Sequence, residues 1–224
     1  LTIRLGILIS GRGSNMQSIV RGIREGSIDA QVSLVFANRP KAPGLEWARE
    51  QGLPTASLSH RDFESREAFD RGVVALLRDA ETDWIALAGF MRILSGEFLG
   101  AFPDRVLNIH PALLPSFPGT DTHQRALEAG VKLHGCTVHL VNEVLDGGPI
   151  VIQAAVPVRD DDTADSLAAR VLVQEHVVYP RAVALAASGR LEVAGGRVAT
   201  GGDGTDPAAL VWPAGDHRSN QGAS

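Results

Sequence analysis

Three short stretches of the chain carry side chains whose types and spacing could do chemistry. The first is Asn108-Ile109-His110-Pro111. Residues two apart on a strand share a face, so Asn108 and His110 would present an amide donor and an imidazole side by side. That pair could stabilise a developing oxyanion or move a proton. Equally, His110 could be satisfied by a backbone carbonyl where Pro111 ends the strand. The second stretch is Leu145-Asp146-Gly147-Gly148-Pro149. Aspartate ahead of two glycines is ordinary turn chemistry; brought beside an imidazole, the same carboxylate would favour the charged ring. The third is Ser10-Gly11-Arg12-Gly13-Ser14-Asn15. Its glycines let backbone approach a ligand, and a helix opening at Ser14 would turn free N–H groups toward an anion. Met16 stands where the dinucleotide fingerprint wants a third glycine, and no Gly-Lys-Ser/Thr follows. A single phosphate therefore fits better than a pyrophosphate or a nucleoside triphosphate. The alternative is a tight turn capped by Ser14 or Asn15.

Elements that could position these groups are visible in the hydrophobic periodicity. Residues 5–9 form an apolar run, and Met16, Ile19, Val20 and Ile23 then recur on one helical face. Gly26 is a stop signal, and residues 32–37 are again β-rich. Strand, glycine turn, helix and strand make a βαβ unit, which calls for a parallel sheet. The spacing predicts a short helix over 45–51, a strand over 54–58, a helix over 62–79 and strands over 84–88 and 106–110. Pro111, Pro115 and Pro118 forbid regular structure after that last strand, and a short helix is expected over 122–129. Strands over 136–141 and 150–157 could pair antiparallel, and a long helix starts near 163. The fold class is α/β, a mostly parallel twisted sheet flanked by helices, with an antiparallel extension in the C-terminal half. Residues 1–194 are expected to form a single domain, and 195–224 a Gly-rich, weakly structured tail.

Composition narrows the function classes. The 224 residues carry a net charge of −5 and are 44% hydrophobic, which suits a globular chain and lacks the basic footprint of a nucleic-acid binder. No apolar run reaches the roughly 20 residues needed to span a membrane. The one cysteine, Cys136, cannot form an internal disulfide and reads as a buried thiol in a strand, so a reducing, cytoplasmic setting is expected. His123, His134 and His139 lack metal-ligand spacing and no cysteine pair accompanies them, so no metal site is expected. No Gly-x-Ser-x-Gly elbow points to a serine hydrolase.

Taken in order, Ile9 through Asn15, Leu87-Ala88-Gly89-Phe90-Met91-Arg92-Ile93-Leu94, Asn108 through Pro115, His134 through His139 and Leu145 through Pro149 resemble the glycinamide ribonucleotide formyltransferases. The resemblance covers about residues 3 to 193. It implies the Rossmann-like formyltransferase fold and transfer of a formyl group from the co-substrate 10-formyltetrahydrofolate to glycinamide ribonucleotide in purine biosynthesis, without a metal. By position it implies catalytic roles for Asn108, His110 and Asp146. Gly13, Ser14 and Asn15 would hold the substrate phosphate, and Glu175 the ribose hydroxyls. Arg66, Leu87, Met91, Arg92, Ile93, Leu94, Asn108, Val141 and Leu145 would line the folate side. The partners implied are small-molecule substrates, with no nucleic acid and no membrane, for a monomer or homodimer. Methionyl-tRNA formyltransferases would add a basic C-terminal domain, and deformylases a regulatory domain ahead of the first strand; neither is expected here. Hydrolysis of the same folate, or a silent folate or nucleotide binder on the same fold, are the competing functions. Leu172 stands where the family usually has a polar residue, and Ser116, Thr120 and Asp121 vary in the loop after His110.

Overall fold

The computed structural model describes residues 2–200. Among them, seven strands form one sheet, in the order β3-β2-β1-β4-β5-β6-β7. These are β1 (Ile3–Ile9), β2 (Ala30–Ala37), β3 (Thr55–Ser57), β4 (Trp84–Leu87), β5 (Val106–His110), β6 (Leu133–Leu140) and β7 (Ile150–Pro157). The first five are mutually parallel, and β6 and β7 add antiparallel. The expected antiparallel extension is therefore present, and it begins one pair earlier, between β5 and β6.

The pleat divides the core into two layers. Leu5, Ile7 and Ile9 point to one face of the sheet, whose core layer is completed by α1 (Ser14–Arg24), α2 (Pro43–Glu50), α5 (Thr122–Glu128) and α6 (Ala164–Ala187) through Met16, Ile19, Leu45, Ala126, Val171, Tyr179 and Val183. Leu8, Phe36, Ile85 and Leu87 point to the other. There α3 (Arg66–Asp79) supplies Phe69, Val73 and Leu77, and α4 (Gly96–Ala101) supplies Phe98. A strand buried on both faces needs apolar residues at consecutive positions, which is why residues 5–9 read as an unbroken run. Across the first layer the Tyr179 hydroxyl lies 3.0 Å from the carbonyl oxygens of Leu87 and Leu107, tying α6 to β4 and β5 together.

Three elements differ from the sequence expectation. The helix drawn over 62–79 starts at Arg66, because Ser65 accepts the Ala68 N–H and caps it; His60–Asp62 is a separate 3₁₀ turn. The helix α4 was not anticipated. It has six residues, two of them glycines, so one buried side chain, Phe98, is all the periodicity it shows. The boundary at 194 falls inside a hairpin of β8 (Glu192–Ala194) and β9 (Arg197–Ala199), joined by Gly195-Gly196. Gly-Gly supplies the positive φ that a two-residue hairpin turn requires, and Val198 packs against the first core layer. The rest of the expected tail, 201–224, lies outside the described residues. No described helix is long and apolar enough to cross a membrane.

Candidate active site

Because β1, β4 and β5 are parallel neighbours, Ser10, Gly89 and His110 emerge at the same edge of the sheet. The strand order reverses between β1 and β4, and such a reversal opens a crevice beyond the strands' carboxyl ends.

The turn after β1 enters α1 through Gly13, whose φ of 71° is left-handed, and no side chain caps the helix. The capped-turn alternative is therefore absent, and the first N–H groups of α1 stay free for another acceptor. The turn is braced from behind by Gly44, whose N–H donates to the Gly11 carbonyl at 3.1 Å. Asn15 is buried, and its Nδ2 donates to Glu175 Oε2 at 2.6 Å across the α1–α6 contact. Its Oδ1 is buried without a partner. Burial pushes the Glu175 carboxyl above its ordinary 4.5, while the Asn15 hydrogen bond and the charge of His110 oppose the rise. Leu172 lies one helical turn before Glu175 and is half-buried.

After β4, Gly89 takes a positive φ of 76° and the chain runs out to α4. Met91 and Ile93 are 69% and 57% exposed, whereas Phe90 and Leu94 turn back into the second core layer. The Arg92 guanidinium lies 4.5 Å over the Phe69 ring. Leu87 is buried and Val141 packs on the same layer. Leu145 is exposed. Arg66 is exposed at the start of α3 and pairs with Glu67 of its own turn at 3.2 Å. Of the residues placed on the folate side, Leu87 and Leu94 are thus core side chains that could meet a ligand only through their backbone.

The third group comes from the antiparallel half. In the β5–β6 register Asn108 faces His139 and His110 faces Thr137. His110 Nδ1 lies 3.4 Å from Asp146 Oδ2, and its Nε2 donates to the Phe117 carbonyl at 2.9 Å. Both readings of His110 are therefore realised at once: one nitrogen meets a backbone carbonyl, the other a carboxylate. Two acceptors thus flank the ring, one at each nitrogen. Asp146 itself has a left-handed φ of 51°, and its Oδ2 also accepts the Gly119 N–H at 2.8 Å. The loop after β5 is thus fastened to both side chains. Gly148 is required here, because a Cβ would strike the Leu140 carbonyl of β6.

His139 is a member of this group that the sequence reading set aside. Its Nδ1 donates to the Leu140 carbonyl at 2.9 Å, so in the neutral ring Nε2 is an acceptor, which Asn108 Nδ2 meets at 3.1 Å. Burial pushes its pKa below the ordinary histidine value, in keeping with that tautomer. Asp146 Oδ1 lies 3.8 Å away. The alternation in His134 through His139 held the signal, but it became readable only with the β5–β6 register. His134 and His123 stack edge-on nearby, 3.2 Å apart through Nε2 and Nδ1; burial, reinforced by His123, drives His134 down to about 4. Cys136 is buried and its thiol is pushed up to about 12, by burial first and then by Glu175. That makes it a poor nucleophile. Among the described residues no three His, Cys, Asp or Glu converge as metal ligands.

Comparison with known proteins shows what the chain is similar to. The sequence pattern of the formyl transferase family matches residues 3–183. Phosphoribosylglycinamide formyltransferase of Escherichia coli is 46% identical over 187 residues, covering 84% of this chain and 88% of that protein. The bovine trifunctional purine biosynthetic protein adenosine-3 is 44% identical over 190 residues; the match takes in 85% of this chain but spans 19% of that much longer protein. The crystal structure of glycinamide ribonucleotide transformylase 1 from Symbiobacterium toebii superposes with a TM-score of 0.87 at 48% identity, covering 89% of this chain and 94% of that one.

Proposed function

The chain belongs to the formyl transferase family, and from that premise we propose that it transfers the formyl group of 10-formyltetrahydrofolate to the amine of glycinamide ribonucleotide, releasing tetrahydrofolate in purine synthesis. The observation that carries the reading is the convergence of Asn108, His110 and Asp146 at the same sheet edge as the phosphate-type turn after β1 and the exposed 89–95 segment after β4.

In this reading the free N–H groups at Gly13, Ser14 and Asn15 hold the substrate phosphate, and Glu175 accepts from the ribose hydroxyls. The unpartnered Asn15 Oδ1 is an acceptor ready for a substrate donor. Met91, Ile93 and Leu145, with backbone groups of 87–94 and the nearby Arg66, Arg92 and Val141, receive the folate. The substrate amine attacks the formyl carbon and negative charge develops on the formyl oxygen. Asn108 Nδ2 and His110 Nε2 donate to that oxygen, which takes the acceptor position now filled by the Phe117 carbonyl. Asp146 holds the ring from the other side and relays the proton from the attacking amine toward N10 of the leaving folate. Formyl passes directly between the two substrates, so no enzyme-bound formyl forms and Cys136 is dispensable. The same reading places the chain in the cytoplasm with small-molecule partners, as a monomer or homodimer.

The test is tetrahydrofolate release from 10-formyltetrahydrofolate with and without glycinamide ribonucleotide. Release that requires the ribonucleotide and yields its formylated product supports the transferase. Release without it would mean a hydrolase, and binding without release a silent receptor.

A further inference from the structure

Two acidic residues are buried among the described residues, Glu175 and Asp70, and the proposed chemistry has no use for Asp70. A carboxylate is tolerated in a core only where hydrogen bonds compensate its lost hydration. Asp70 lies on the inward face of α3, 1% exposed, and its Oδ2 accepts the backbone N–H of Ser95 at 2.7 Å. Ser95 is the N-cap of α4 and closes the segment that leaves β4 at Gly89. At the other end, buried Ser10 accepts the Met91 N–H on its Oγ at 2.9 Å, while the Ser10 N–H donates to the Gly89 carbonyl at 3.1 Å. Between these anchors Phe90 and Leu94 are sunk into the core, and Arg92 lies over Phe69, the neighbour of Asp70. Met91 and Ile93 are left facing solvent. A loop that shows apolar side chains to water yet is pinned at both ends by buried groups from other elements is preorganised for a ligand.

We propose that Asp70 and Ser10 are positioning residues for the folate-side substrate, holding residues 89–95 in their binding shape from opposite ends. The inference rests on the reading of that loop as the folate wall. Neither side chain touches the substrate. Each acts through a single backbone N–H of the loop, Asp70 at Ser95 and Ser10 at Met91.

Steady-state kinetics with both substrates varied test this. A charge-assisted bond to a buried carboxylate is about twice as strong as a neutral one, so Asp70→Ala is expected to raise KM for 10-formyltetrahydrofolate about tenfold or more. Asp70→Asn, which keeps an oxygen acceptor, is expected to raise it about threefold. Ser10→Ala is expected to raise it about three- to tenfold, and Ser10→Thr to recover the loss. KM for glycinamide ribonucleotide should stay within about twofold in all four, because loss of a loop anchor is local. Should Asp70→Ala fail to fold, Ser10→Ala and Asp70→Asn decide. An unchanged folate KM in those two, or an equal rise in both KM values, would overturn the proposal. If the wild-type chain binds tetrahydrofolate without turnover, the transferase reading alone falls, and the same ordering must appear in the tetrahydrofolate Kd. A wild-type chain that binds no folate overturns both.

Discussion

The two halves of the sheet meet their ligands by different means. From β1 to β4 every neighbour is parallel, and what reaches the crevice there is mostly backbone: the uncapped start of α1 behind Gly13 and the loop after Gly89. From β5 to β7 the pairing is antiparallel, and what reaches the crevice is a set of side chains, Asn108, His110, His139 and Asp146. Parallel strands hand over to helices at one edge, which leaves turns and helix ends exposed. Antiparallel strands put side chains directly opposite one another, so Asn108 is oriented by His139 and not by its own loop. At the phosphate-type turn the change to expect trouble from is accordingly an added Cβ at Gly13, and in the antiparallel half it is the loss of a site side chain such as His110.

The sharpest test is His110→Ala. Loss of one oxyanion donor lowers kcat by about 10²–10³, some 2.7–4 kcal/mol, and Asp146 would also lose the ring that it holds. Turnover is expected to fall at least that far while the Kd for glycinamide ribonucleotide changes less than about threefold. An equal loss of ribonucleotide binding would show that the two halves do not divide the work.

Next in size is an acid sensitivity seated in the antiparallel half. His134 is 1% exposed and its pKa is driven from 6.5 to about 4. The unfolded chain takes up this proton near pH 6.5 and the folded chain only near 4, so stability present above pH 6.5 is lost as pH falls through that window. At about 1.4 kcal/mol per pH unit the loss approaches about 3 kcal/mol. Urea midpoints are expected to drop steadily from pH 7 to pH 4, and His134→Gln to flatten that slope. An equally steep slope in the variant would place the acid sensitivity elsewhere.

On the parallel side the corresponding change is Gly13→Ala. Its φ of 71° suits glycine, and a Cβ would also sit 3.0 Å from Met16 Cε. The left-handed strain amounts to about 1–2 kcal/mol. Relieved by a shift of the turn, it should raise KM for the ribonucleotide about tenfold with little effect on kcat. An equal rise in the folate KM would remove the phosphate assignment.

Legibility in the sequence followed the same division. The parallel half announced itself through local periods: the apolar run of β1, the Met16-Ile19-Val20-Ile23 face of α1 and the glycine turn between them. Asn108, His110 and Asp146 could be singled out, yet residue spacing alone could not say that the 35 residues of intervening chain bring Asp146 back beside His110. His139 needed the β5–β6 register, which no local pattern encodes. The helix α4 was too short to show a period. The β8–β9 hairpin did carry a local signal, Gly195-Gly196 between two short β-prone runs, but the glycine content around it read as a tail. Asp70 offered no signal at all, since a charged residue at that spacing on α3 reads as solvent-facing until the helix is seen packed against Ser95.

The smallest effect tests the seam between the halves. The Tyr179 hydroxyl reaches the carbonyls of Leu87 on β4 and Leu107 on β5, one strand associated with the backbone sites and one with the side-chain site. A buried hydrogen bond contributes about 1 kcal/mol net. For a chain of this length that corresponds to about 2–4 °C in Tm. Tyr179→Phe keeps the ring in the core and deletes only the hydroxyl, so it should lower Tm by that amount and leave kcat within about twofold. If kcat fell tenfold while both KM values held, alignment of β4 with β5 would itself be limiting, because the formyl carbon must sit within reach of a nucleophile placed by one half and of donors placed by the other.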